Sequence, residues 1–156
     1  MELSAGGTPS HVVIGGGVLG LSTAWRLAER GADVAVLEKD RIGAGASGIA
    51  GGIVRNYYRS AAISAVIRRS VELFEAEPEA FGFRQVGYVA AVPEAQVDDL
   101  RAIREHHDRV GYESELVVGA GRCREYLAWT WPDWEAEVAA ALYERRGGWA
   151  DAMRTV

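Results

Sequence analysis

Gly15, Gly17 and Gly20 stand within HVVIGGGVLGLSTAWRLAERGADVAVLEKD, the run from His11 to Asp40, and Glu38 comes near its close. Glycines at this spacing act through the backbone. The first allows a tight turn, the second lets the main chain approach a pyrophosphate, and the third lets a helix pack closely on a strand. The amides near Val18 and Leu19 would open that helix, where they have no intrahelical acceptors, so together with the helix dipole they favour an anionic group. Glu38, roughly twenty residues beyond the glycines, suits the hydroxyls of a ribose diol, and its charge disfavours a 2′-phosphate. These residue types in this order fit an adenine dinucleotide. FAD and NAD share that pyrophosphate and ribose, so the glycines alone admit either.

The elements that must position these residues are legible on either side of the turn. His11 to Ile14 is a short β-rich run, and from Val18 to Arg30 the residues Leu19, Leu21, Ala24, Leu27 and Ala28 recur at helical spacing. Gly31 follows where a helix C-terminal glycine belongs. Asp33 to Leu37 is nearly all apolar, the pattern of a parallel strand covered on both faces. Strand, helix and strand make a βαβ unit. The glycine-rich segment RIGAGASGIAGGIVR, Arg41 to Arg55, predicts irregular backbone that approaches something closely, its alternative being a flexible linker. Beyond it, helices are expected over Ser60–Glu77 and Pro93–Val110, and strands over Gln85–Val92, Glu115–Val118 and Ala139–Tyr143.

The chain of 156 residues, 49% hydrophobic and 25% charged, has the composition of an ordinary globular domain. A net charge of −5, with the basic residues scattered, argues against a nucleic-acid partner. The opening MELSAGGTPSH has no basic n-region and the apolar run after it soon meets Arg26, so neither a signal peptide nor a membrane span is expected, and the location implied is cytoplasmic. The single cysteine, Cys123, excludes an internal disulfide and a multi-thiolate metal site and reads as a packing residue.

The segment RIGAGASGIAGGIVR resembles the second glycine-rich stretch of the D-amino-acid oxidase family of flavoproteins, to which glycine oxidase and the sarcosine oxidases belong. The likeness is strong over Val12–Arg55 and looser through GYVAAV, GYESELV and ALYERRGGWAD. It implies an α/β fold: a Rossmann-like FAD-binding βαβ unit with a partial parallel sheet, followed by part of an α+β substrate domain. Residues 8–60 would begin the FAD-binding domain, 61–150 would form a partial substrate or cap region, and 151–156 would start the return to the FAD domain.

By the same resemblance Gly15, Gly17, Val18, Leu19, Gly20, Glu38, Lys39, Arg41 and Ser47 would line the ADP half of a non-covalent FAD, and Gly51, Gly52 and Ile53 would lie near the flavin. Arg55 matches a position where sarcosine-oxidase-like members pair an arginine with the substrate carboxylate, a task its planar fork suits. Its alternative is a salt bridge. The implied reaction moves a hydride from a C–H beside an amine to the flavin, with oxygen or another acceptor regenerating FAD. The substrate would be a small amine or amino acid. No catalytic side chain or metal is implied.

Family members are longer, with sheet strands that follow the point where this sequence stops. The chain therefore reads as an N-terminal portion, completed by further sequence or by a second chain, and unable alone to finish a flavin pocket. An NAD-binding dehydrogenase module, and a non-catalytic remnant or partner-dependent subunit, are the competing readings. His106 and His107 are adjacent, so they cannot form the i, i+4 pair of a helical metal site and are expected on the solvated surface, while His11 is expected at a strand edge. Trp129, Trp131 and Trp134 are expected to pack as core, with a lid or partner patch as the alternative. Glu72, Glu75, Glu77 and Glu79 are expected to form a solvated helix end.

Overall fold

The computed structural model describes residues 8–156, so the reading of Met1–Gly7 as free of a leader lies outside the described residues. The elements in chain order are β1 (His11–Ile14), α1 (Val18–Glu29), β2 (Val34–Leu37), β3 (Ile53–Val54), α2 (Ala61–Ala76), α3 (Pro78–Phe81), β4 (Tyr88–Val92), α4 (Val97–Val110), β5 (Glu115–Val118), α5 (Ala120–Leu127), β6 (Ala140–Glu144), β7 (Gly148–Trp149) and α6 (Ala152–Thr155). They fall into two compact units, one running to Gly52 and including Asp151–Val156, the other Ile53–Ala150.

In the first unit β1 and β2 are parallel, with His11 opposite Val34 and Ile14 opposite Leu37. The Gly15 amide donates to the Leu37 carbonyl at 2.8 Å, carrying the ladder one step into the glycine turn. Gly15 has φ +110°, a conformation that a side chain would strain. Gly17 caps α1, and the helix stops at Arg30 before Gly31, which turns left-handed at φ +81°. A Cβ placed on Gly20 would lie 2.0 Å from the Gly15 carbonyl oxygen, so α1 can sit on the turn only because position 20 lacks a side chain. Cover on both faces of β2 is not found among the described residues: Leu37 is 58% exposed, as its neighbour Ile14 is at 85%. The reason is geometric, since among the described residues this sheet has two strands, with α1 packed on it.

The second unit is built on an antiparallel sheet in the order β4–β6–β5. Alternation along β6 divides the core. Ala140 and Leu142 face Val97, Leu100 and Ile103 of α4, whereas Ala141 packs with Val117 and with Cys123 and Leu127 of α5. Each fully buried leucine or isoleucine here contributes about 1.5–3 kcal/mol. Helix α2 is capped by Ser60, whose hydroxyl accepts from the Ile63 amide, and packs on α4. The short β3 pairs antiparallel with β7.

Several expected boundaries move for identifiable reasons. The strand expected from Gln85 begins at Tyr88, because Gly87 takes φ +80° and breaks the extended run. The helix expected from Pro93 opens as a 3₁₀ turn over Glu94–Gln96 and becomes α-helical at Val97. Cys123 packs as expected, fully buried. The tryptophans do not: Leu127 takes the core position, the chain leaves the helix, and Trp129 is 76% exposed with Trp131 and Trp134 stacked obliquely on one another. Glu75 is only partly exposed and receives a bidentate contact from Arg146 at 2.9 and 2.5 Å. His107 is buried rather than on the surface, because it shares the inward face of α4 with Leu100 and Ile103.

The Gly20 contact is directly testable. Gly20→Ala should destabilise the protein in urea by about 1–3 kcal/mol through overpacking. Gly121→Ala, in α5 with open space around the new methyl, should be neutral or stabilising by up to about 1 kcal/mol. Equal stabilities for the two variants would show that the approach of α1 to the turn tolerates a side chain.

Candidate functional site

In the first unit the glycine turn, the end of β2 and the loop from Ala44 to Ser47 enclose a cleft of about 390 Å³, lined by Gly16, Gly17, Glu38, Lys39, Asp40 and that loop. Two side chains set its shape. Glu38 accepts from the Gly16 amide at 2.6 Å through one oxygen and from the Asp40 amide at 3.0 Å through the other. These amides, Gly16 first, hold its carboxyl below the usual carboxylate range, so it is ionised at neutral pH. Each oxygen keeps acceptor capacity for a hydroxyl.

Across the cleft the Ser47 hydroxyl accepts from the Val18 amide at 3.0 Å and retains its own proton to donate. The Val18 amide is therefore already paired, while Leu19, also in the first turn of α1, has no partner among the described residues. A Cβ on Gly17 would come within 3.1 Å of the Ser47 oxygen, and one on Gly16 within 3.1 Å of the Glu38 side chain. Main chain therefore forms the floor. The cleft has hydrogen-bond donors for an anion on one side and an ionised acceptor on the other.

In the second unit Arg55 follows β3. Its Nη1 donates to the Tyr88 hydroxyl at 2.5 Å, and its guanidinium lies over the rings of Tyr88 and Tyr57, 5.1 and 5.9 Å from their centroids. Among the described residues no carboxylate lies within ion-pair distance of it, so the salt-bridge alternative is not what the structure shows. The residue after it, Asn56, is fully buried. Its amide donates to Glu144 Oε2 at 2.5 Å, its carbonyl accepts from His107 Nε2 at 2.8 Å, and its side-chain amide donates to the Ser64 carbonyl at 3.1 Å.

A carbonyl can only accept, so His107 carries its proton on Nε2, and Nδ1 accepts from the Ser114 hydroxyl at 2.8 Å. Burial lowers the His107 pKa and keeps the ring neutral. Tyr112 donates to the same Glu144 oxygen at 3.2 Å, leaving Glu144 Oε1 buried without a partner.

The sequence pattern of one protein family, described as FAD dependent oxidoreductase (DAO), matches residues 10–156. The chain belongs to that family. Among curated relatives, gamma-glutamylputrescine oxidoreductase of Escherichia coli (strain K12) is 31% identical, over 87% of this chain and 35% of its own length. Among solved structures, L-proline dehydrogenase from P. horikoshii superposes with a TM-score of 0.83 at 31% identity, covering 94% of this chain and 39% of that one. Glycine oxidase from Bacillus cereus ATCC 14579 gives 0.69 at 25% identity, covering 95% and 41%. The chain thus spans well under half the length of these relatives.

The α/β fold with a parallel β1–α1–β2 unit is that of the DAO family. The residues present fit the ADP half of the family's cofactor: a floor with no side chains, amide and hydroxyl donors near α1, and an ionised Glu38. Of the residues expected there, Gly17, Glu38, Lys39 and Ser47 line one cleft, and Gly15 and Gly20 shape its turn. Arg41 does not line it. No helix among the described residues is long and apolar enough to cross a membrane.

Asn56, Tyr88, His107, Tyr112 and Glu144 were not singled out by spacing alone, yet two carried a readable signal. His107 continues the buried stripe of Leu100 and Ile103 at i+7 and i+4, and Glu144 continues the inward register of Ala140 and Leu142.

Burial pushes the Glu144 carboxyl up to about 7 from 4.5. The folded protein then binds a proton that the unfolded chain releases, so this contribution is fully present below the unfolded value and is lost as pH rises through the folded one. The loss is on the order of 3 kcal/mol. Denaturant unfolding across this range should show stability falling with pH, and Glu144→Gln, which cannot ionise, should flatten that component. An unchanged slope in the variant would assign the titration to another group.

Proposed function

We propose that this chain forms the N-terminal part of an FAD-dependent oxidoreductase acting on a small amine or amino acid that carries a carboxylate. The observation that carries the reading is the cleft held open between Glu38 and Ser47 above a glycine floor. Gly15, Gly17 and Gly20 let the main chain approach the pyrophosphate, with Leu19 and the Ser47 hydroxyl donating to it. Glu38 takes the ribose diol, Lys39 and Arg41 add positive charge, and Gly51, Gly52 and Ile53 are assigned to the flavin end. When bound, FAD supplies a two-electron acceptor for a hydride leaving the carbon beside the substrate nitrogen. Arg55, which has no carboxylate partner among the described residues, binds and orients the substrate carboxylate.

The names of the relatives support an amine or amino-acid substrate, since they refer to gamma-glutamylputrescine, L-proline and glycine. Non-covalent attachment is supported by Cys123, fully buried, and by His107, with both ring nitrogens engaged. The exposure of Ile14 and Leu37 supports further polypeptide over β1 and β2, from this chain or a second one. The intended setting is a cytoplasmic enzyme.

A visible spectrum after reconstitution tests the cofactor: bound flavin absorbs near about 450 nm, which NAD does not. Glu38→Ala should raise the dissociation constant for FAD by about tenfold or more, the scale of a lost hydrogen bond to a charged group. Unchanged affinity would remove Glu38 from the site. In the assembled, active protein Arg55→Lys keeps the charge and loses the fork, so the substrate KM should rise by about tenfold while FAD stays bound. Loss of FAD with KM unchanged would place Arg55 elsewhere.

A further inference from the structure

Arg55 is held at its head by Tyr88, and the peptide after it is held by Glu144; these two residues face each other directly across the β4–β6 pair. Side chains opposed in an antiparallel pair lie on the same face of the sheet. One cross-strand pair therefore grips the arginine at two points, its guanidinium and its following amide.

Asn56 cannot shift without breaking several bonds at once. Besides the Glu144 contact, its carbonyl accepts from His107 and from the Tyr58 amide at 2.9 Å, and its side chain donates to Ser64. Glu144 is the one carboxyl among these groups. A buried carboxyl is a costly acceptor for one amide and one phenol, because its second oxygen has no partner. Apolar side chains fill the same face of β6 at Ala140 and Leu142, so the sheet does not require a carboxyl there for packing.

We propose that Glu144 is a positioning residue for Arg55: by fixing the Asn56 amide it sets the direction from which the guanidinium presents its fork to a substrate carboxylate. This inference rests on the assignment of Arg55 to the substrate. Tyr112, which donates to the same oxygen, steadies the Glu144 side chain, and Tyr88 confines the guanidinium against its ring. Pre-orientation of this kind matters because a small misplacement of a binding group is costly to a bidentate contact.

Calorimetric titration of propionate into the purified protein, with propionamide as the uncharged control, tests the inference, and fluorescence titration of FAD serves as the second readout. Propionate should bind the parent protein and fail to bind Arg55→Met. Glu144→Gln, which keeps an acceptor for Asn56, should bind propionate within about twofold of the parent, whereas Glu144→Met should lose about tenfold or more. FAD affinity should be unchanged in both. If Glu144→Met does not fold, Glu144→Asp, which draws the carboxylate back by one methylene, should show the same loss in smaller measure.

Propionate affinity retained in the folded Met or Asp form, or FAD and propionate affinities falling together, would overturn the positioning role. Binding of propionate that is absent from the parent, or indifferent to Arg55→Met, would remove Arg55 from the substrate and the inference with it.

Discussion

In each unit a glutamate at the end of a strand reaches a backbone amide in a loop: Glu38, just after β2, holds Gly16 at 2.6 Å, and Glu144, the last residue of β6, holds Asn56 at 2.5 Å. A carboxylate has acceptor capacity beyond one amide, so it can fix the main chain and still meet other groups. At Glu38 the second amide is Asp40, which follows in the same turn. At Glu144 the second donor is Tyr112, from the segment after α4. The two loops that carry the glycine cleft and Arg55 are thus anchored by the same kind of bond.

The same bond has opposite electrostatic consequences in the two places. Glu38 faces the cleft, its amides outweigh the loss of water, and its pKa is lowered. Glu144 is fully buried, desolvation outweighs the Asn56 and Tyr112 donors, and its pKa is raised. Solvation decides the sign, because each receives hydrogen bonds that favour the charged form. An ionised Glu38 at the cleft keeps acceptor capacity for groups from outside the chain, whereas a buried Glu144 can meet only groups of its own chain.

Much of the first unit was legible because its chemistry is local. The β-rich run, the glycines, the helical period from Leu19 to Ala28 and the acid at 38 lie in order within one short segment, and the structure places β1, α1 and β2 accordingly. The second unit was less so. Its polar cluster joins Asn56, Tyr88, His107, Tyr112 and Glu144 from separate parts of the chain, and no spacing reports such a meeting. His107 is buried rather than on the expected surface because it stands four residues after Ile103, on the stripe of α4 that faces the core. The tryptophans differ in the other direction: their apolar area favours core, but Leu127 already fills that position.

Among the described residues Arg55 has no carboxylate partner, and it is held by aromatic side chains instead. Arg26, Arg59, Arg68, Arg104 and Arg146 each meet an acidic side chain, most of them in exposed pairs that contribute little to stability. Arg55 instead meets a phenol and two aromatic faces, which confine it without neutralising it. A tyrosine hydroxyl occupies one donor of the guanidinium and leaves the rest of the fork free. Confinement without neutralisation is the condition for recognising an outside anion, because a charge already paired within the chain would have to break that pair first.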